Sequence, residues 1–418
     1  MPTTDHHDDA SGTTALDQHD VLAGLQCVRR LWWRWHEPGA PELVPDARAR
    51  VRREERQTLR AVAQDGIAPV VVGFRHQGAA REAATREALA AGAPAVADAT
   101  VTGGGVRATI DLVERTGDGH RLVAVAPAAA VRELELRALA VQWHAAERAG
   151  VRVGGAVVLH LDPAARVPEA PRFVRADVGA AVAARLPALD AALAGQRAAL
   201  AGPLPEVAPG PQCETPEPCP FLARCRPAVL PDLPSEAAIA DAVARAPGPH
   251  AWLHAATVGP ALPPWPGCRA FEPVPVLFAC RTGEGEVREW IAPMDADPGE
   301  ACLAALEDAA AGAVGIVSVD ADADRAWLAA LAERRPRLAG RAATLAARLV
   351  ALPAGSAGRF ALPGVDELPR LALQRDLHDA QEAHYLREAL LAAAARSTLR
   401  LARLAAGPAA PPATTPAA

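Results

Sequence analysis

At 418 residues, half of them apolar and 22% charged, the chain is long enough for two folded domains and too hydrophobic to be disordered throughout. All 43 basic residues are arginine, since the sequence holds neither lysine nor asparagine; this excludes a lysine general base, a Schiff base and a Walker phosphate loop. The formal net charge of −6 argues against sequence-blind coating of nucleic acid but leaves room for a local basic stripe.

No apolar run is long enough to span a bilayer, and the polar opening MPTTDHHDDASGTT does not have the pattern of a signal peptide. The expected setting is therefore cytoplasmic, with no membrane partner. Residues 1–15 and 407–418 are expected to be disordered tails. The first domain is expected over 16–234. It begins with a helix over 17–36 that carries Cys27 and Trp32, Trp33 and Trp35. Asp46 is placed to cap a second helix ending at Gly66. Residues 67–73 (IAPVVVG) predict a buried strand and TREALAAGAP a helix. RATIDLVER and HRLVAVA flank the turn TGDG, which predicts an antiparallel hairpin. VRELELRALAVQWHAAERAG then predicts an amphipathic helix and GAVVLHL a strand, so the domain is α/β. Helical sequence follows to about residue 201, and a proline-rich cysteine segment over 202–234 closes the domain.

A second α/β domain is expected over 235–406. Strands are predicted at AWLHAATV, VPVLFACR, VREWIAP and GIVSV. Helices are predicted at PGEACLAALEDAA, over 324–348 and over 380–406. Three meandering strands followed by helix, strand and helix match the order of an RNase H-like fold.

Four of the seven cysteines form a candidate ligand set: Cys27, then Cys213, Cys219 and Cys225 in CETPEPCPFLARC. In a reducing compartment, clustered thiols point to metal rather than to disulfides. Four thiolates can hold zinc or a 4Fe–4S cluster. Zinc knuckles use short gaps between ligands, whereas both gaps here are five residues and the fourth thiol is remote. That spacing favours the cluster, with zinc or unliganded cysteines as alternatives. Cys268, Cys280 and Cys302 are isolated on apolar elements and are expected to be small buried hydrophobes.

GLQCVRRLWWRWHEP, VRATIDLVERTGDGHRLVAVAP, LAVQWHAAERAG and the three later cysteines together resemble a RecB-like nuclease module (the PD-(D/E)XK class) of the iron–sulfur kind, similar to the AddB nuclease domain. From AWLHAATVGPALPPWPGCRAFEPVPVLFACR onward the chain resembles a DnaQ/RNase H-like exonuclease module. The resemblance implies a fold of a RecB-like restriction-endonuclease-type domain with a four-cysteine metal centre, followed by an RNase H-like domain. It also implies where catalytic residues would stand. An Asp on one hairpin strand matches Asp111, with Asp98 near an upstream acidic position and Gln142 matching a helix glutamine. The Glu-x-Lys that would bind metal and stabilise the phosphate falls on Ala124 and Ala126. The exonuclease Asp-x-Glu falls on His254 and Ala256, and its later acids fall on Ala351 and Ser397. Alanine offers neither a carboxylate for Mg²⁺ nor a cation, so bound Mg²⁺ is not expected.

Other acidic groups do not replace the lost ones. Asp320, Asp322 and Asp324 superficially resemble a calcium loop but lack its glycine and distal glutamate; a strand end plus helix cap is the better reading. His6, His7, Asp8 and Asp9 lie in the expected tail, and Asp376, His378 and Asp379 are expected to be solvated. Arg29, Arg30 and Arg34 beside Trp33, with six more arginines from Arg48 to Arg60, are the candidate nucleic-acid face, because guanidinium forks suit phosphates and indoles stack on bases. The expectation is a catalytically degenerate nuclease-family protein that binds DNA, RNA or a protein partner. One alternative is an active metal-dependent nuclease with relocated ligands among Asp98, Asp111, Glu114 or Glu133. The other is a redox- or iron-responsive cluster protein.

Overall fold

The computed structural model describes residues 15–65, 67–73, 78–117, 119–167, 173–226, 233–283, 286–293, 296–362 and 380–406. Apart from Ala15, the expected tails, the acidic and histidine-rich start, and Asp376, His378 and Asp379 lie outside them. Backbone contacts divide the chain into two compact units. One comprises Met1–Asp162 and Pro171–Ala228; the other comprises Pro163–Ala170 and Val229–Ala418. Both are mixed α/β, each around its own mixed sheet.

In the first unit, β1 (Leu16–Asp17) leads into α1 (Gln18–Gln26), which Asp17 caps by accepting the His19 N–H. The chain continues as α2 (Val28–His36). The single helix expected over 17–36 is thus two helices, because Cys27 is extended at φ −163°, ψ 119°. Asp46 caps α3 (Ala47–Gln64) as expected, accepting the Ala49 N–H at 2.6 Å. The buried strand expected over 67–73 is reduced to β2 (Val70–Val71), an edge pair with both valines exposed. After α4 (Gly78–Ala90) come β3 (Ala95–Gly103), β4 (Val106–Thr116) and β5 (Gly119–Ala126), an antiparallel meander. Gly104 and Gly105 join β3 to β4 with φ of +61° and +70°, the two-residue turn that only glycine-like residues form cheaply.

α5 (Glu133–Arg148) then carries the chain to β6 (Val153–Leu161), which runs parallel to β5, and β7 (Phe173–Asp177) returns antiparallel. The sheet order is β2-β3-β4-β5-β6-β7, with β1 alongside β4. The buried face of α5, including Leu139, Trp143 and Ala146, packs with Val96, Ile110, Leu122 and Ala124 of the meander in one core. α6 (Gly179–Ala183), α7 (Leu189–Ala201) and α8 (Leu222–Cys225) complete the unit. Strands β3 and β7 were not expected from the sequence.

The second unit begins with α9 (Glu236–Ala244), followed by β8 (His250–Val258), β9 (Val274–Thr282) and β10 (Val287–Ile291). α10 (Pro298–Ala309), β11 (Gly315–Ser318), α11 (Ala321–Arg334), α12 (Ala339–Ala347), β12 (Leu349–Ala351), α13 (Ser356–Arg359) and α14 (Ala380–Ala406) follow. The sheet order is β10-β9-β8-β11-β12, antiparallel up to β8 and parallel beyond it. Alternation along β8 sends Leu253 to a core with Leu306, Trp327 and Leu331 of α10 and α11, and Trp252 to one with Ile239 of α9 and Leu401 of α14. Helices therefore cover both faces. Cys268, Cys280 and Cys302 are at most 1% exposed, as their apolar surroundings suggested. Burial pushes the Cys268 and Cys280 thiols up to about 12, which leaves both inert.

Candidate metal centre

Cys27, Cys213, Cys219 and Cys225 line one pocket, together with Arg30, Trp33 and Leu222. Each thiol reaches it by a different local device. The extended residue at the α1–α2 break presents Cys27 while its N–H still closes the first helix on Ala23 O. Cys213 ends a short 3₁₀ turn over Pro211–Cys213, and the Cys219 N–H donates to Cys213 O at 2.7 Å, closing the loop between them. Cys225 ends α8. Gln26 ties the two ends of the unit together, its Nε2 donating to Gln212 O at 2.7 Å and to Glu217 O at 2.6 Å. Burial holds the Cys219 and Cys225 thiols above their ordinary range, opposed by Arg30 at Cys219 and by Arg29 at Cys225; Cys27 and Cys213 act on both in the raising direction. Among the described residues, no three His, Cys, Asp or Glu side chains are grouped as they stand to hold a metal ion.

The candidate nucleic-acid side chains are largely occupied by this same region. Trp33 is 5% exposed and packs on Phe221 with ring centroids 5.3 Å apart. The Arg29 and Arg224 guanidinium groups sit over its ring at 4.9 and 5.4 Å. Arg224 is itself fixed by Glu37 and Glu42. Arg34 pairs with the buried Asp20 at 2.6 Å, and Arg30 lines the thiol pocket and donates to Gln26. A tryptophan enclosed in this way has no free face for a base.

The positions matched to nuclease chemistry gather on the meander. Asp111 is buried, and its Oδ2 accepts the Val125 N–H at 2.8 Å. The β4–β5 pairing starts at Leu112↔Val123, and just beyond it the Asp111 side chain takes the Val125 N–H, between Ala124 and Ala126, where β5 offers no carboxylate. Ala124 and Ala126 belong to the hydrophobic core. Asp98 is buried with φ +56°, a left-handed conformation that aspartate tolerates. Both acids meet arginines of α3, which sequence reasoning had counted toward the nucleic-acid face. The i, i+4 spacing of Arg56 and Arg60 could have marked them as one reaching face. Gln142 Nε2 donates to Thr109 O at 2.9 Å, joining α5 to β4.

In the second unit, His254 is buried on β8 and burial lowers its pKa to about 4, so the ring is neutral. Its Nδ1 and the buried Ser397 Oγ on α14 have no hydrogen-bond partner among the described residues. Ala256 is partly buried against the core, and Ala351 ends β12 opposite Ser318. Asp320 caps α11 by accepting the Ala323 N–H at 3.0 Å. Asp324, read from the sequence as part of a strand end and helix cap, is a buried acid: it accepts from Ser318 Oγ at 2.5 Å and Trp327 Nε1 at 3.2 Å.

No protein-family model matches the chain, and no curated protein matches it.

Proposed function

We propose that this chain is a catalytically silent nuclease-type protein whose first unit is held together by a cysteine-ligated 4Fe–4S centre and which works by binding rather than by hydrolysis. The observation that carries the reading is a contrast within one unit. Four thiols from residues nearly two hundred positions apart line a single pocket, while the acid on the adjoining hairpin binds the Val125 N–H between two alanines, Ala124 and Ala126. Cys27, Cys213, Cys219 and Cys225 would hold the cluster; an iron–sulfur cubane accepts four thiolates and spans more space than one ion. Such a centre supplies folding energy, since its ligands are brought together only in the folded chain.

The arrangement of both sheets supports the family reading. A meander, a helix and a parallel strand in the first unit fit a RecB-like module. The order β10-β9-β8-β11-β12 with its change from antiparallel to parallel fits an RNase H-like module. At the positions expected to bind two metals, that module carries a neutral buried imidazole, two alanines and a serine hydroxyl. Phosphodiester hydrolysis needs metal ions gripped by several oxygens in fixed geometry, and neither unit offers such a set among the described residues.

Two measurements on protein purified without oxygen test this. The expected preparation is brown, with a broad visible absorption and about four irons per chain. It leaves labelled single- and double-stranded DNA and RNA intact in Mg²⁺ or Mn²⁺. Colourless protein with one zinc per chain would replace the cluster by a zinc site. Cleavage that Asp111→Ala abolishes would overturn the silent-enzyme reading.

A further inference from the structure

Asp98 and Asp111 stand across from one another on adjacent antiparallel strands, between the paired positions Ala97↔Leu112 and Ala99↔Ile110. They are 8% and 6% exposed. Like charges directly opposite in a sheet repel, and burying an unpaired carboxylate costs several kcal/mol, so the pair requires positive charge beside it. A divalent cation would supply two charges from one point.

In this protein helix α3 supplies them. Arg60 touches both acids, Nη2 meeting Asp98 Oδ1 and Nε lying 3.2 Å from Asp111 Oδ1. Arg56, one turn earlier, places Nη2 3.2 Å from Asp111 Oδ2. Two guanidinium groups therefore balance two carboxylates. Arg60 Nε and Nη2 are buried and make no well-aligned hydrogen bond, so the contact is one of charge rather than a fitted fork. The Arg81 Nε–H donates to the Asp98 carbonyl at 3.1 Å and holds the left-handed residue in place. Leu59, fully buried between the two arginines in sequence, anchors that face of α3 in the unit.

We propose that Arg56 and Arg60 occupy the seat of a divalent cation, so that Asp98 and Asp111 form a closed site whose charge is built into α3 and which no free metal ion enters. The inference is independent of what the thiols hold and of any descent from nucleases. It makes the site latent: removing the two guanidinium groups leaves two facing carboxylates, the oxygen donors that a hard cation takes.

Mn²⁺ titration of the full chain, followed by electron paramagnetic resonance, tests it in four proteins: wild type, Asp111→Asn, the double variant Arg56→Gln/Arg60→Gln, and that double variant with Asp111→Asn added. The double variant is expected to gain one Mn²⁺ site, at least about tenfold tighter than any Asp111-dependent binding in the wild type. The triple variant is expected to lose it. Wild type and Asp111→Asn are expected to bind Mn²⁺ alike. Two results overturn the proposal: wild-type Mn²⁺ binding that Asp111→Asn removes, or a double variant with native circular dichroism and no added Mn²⁺. Should the double variant not fold, the comparison of wild type with Asp111→Asn decides alone.

Discussion

His254 and Asp324 both favour their uncharged forms, and they do so with opposite consequences for pH. Burial lowers His254 from an ordinary value of 6.5 to about 4, weakly opposed by Asp320. Below pH 6.5 the unfolded chain holds a proton that the folded one refuses. This contribution to stability is present above 6.5 and lost as pH falls through 4. Burial raises Asp324 from 3.8 to about 6, opposed by the hydrogen bonds from Ser318 and Trp327. Here the folded chain keeps a proton that the unfolded one releases, so the contribution is present below 3.8 and lost as pH rises through 6. Between those limits the two slopes oppose each other. Relative to wild type, Asp324→Asn is expected to gain stability across pH 4 to 6, and His254→Gln to lose it, each by up to ~3 kcal/mol. Urea denaturation of the second unit at several pH values measures both slopes; slopes of the same sign in the two variants would refute the opposition. Nothing in HAATV or VDADADR announces this pair, because burial is a property of the folded neighbourhood.

Close approach of backbones governs the packing of α5 on the meander. A Cβ at Gly103 would lie 2.4 Å from Ala145 O and 2.5 Å from the Ala149 N–H nitrogen, both main-chain atoms of the helix and its cap. Backbone cannot swing aside as a side chain does, so Gly103→Ala is expected to cost about 1–3 kcal/mol. Gly154→Ala on β6, where nothing lies within 4 Å, is expected to change stability by less than about 0.5 kcal/mol. Equal denaturation midpoints for the two variants would contradict this. At this scale the periodic elements were legible: the β4–β5 hairpin, α5, β6, and the strand–helix order from β8 to α12. β3 was missed although the Gly104–Gly105 turn marks its end, because its alanines and threonines dilute the apolar alternation. β7 and β12 are short, at five and three residues, and are defined by the strand they pair with. The break between α1 and α2 has no proline to mark it; Cys27 leaves helical geometry at the point where it joins the other thiols at the pocket.

The thiol pocket closes a loop between Cys27 and the segment 213–225, so the proposed cluster would act as a staple across most of the first unit. Metal-binding free energy in such centres is folding free energy, of order 10 kcal/mol in small cysteine-rich domains. Calorimetry of cluster-free protein is therefore expected to show a lowered or absent transition for the first unit, with the transition of the second unit retained. An unchanged scan would remove the staple from the account. No helix among the described residues is long and apolar enough to cross a membrane.

By itself the sequence determined the chemistry that is missing. A chain without lysine, and with alanine at 124 and 126, offers no ammonium side chain anywhere and no carboxylate at those two positions however it folds, because side-chain inventory does not depend on conformation. It also indicated the α/β order, since helix and strand periodicity are local. Only the tertiary structure decided which charges face one another. Arg56 and Arg60 turn from a solvent-facing stripe into partners for Asp98 and Asp111, and Trp33 from a stacking platform into core. Proximity between residues far apart along the chain is set by packing, which no local pattern encodes.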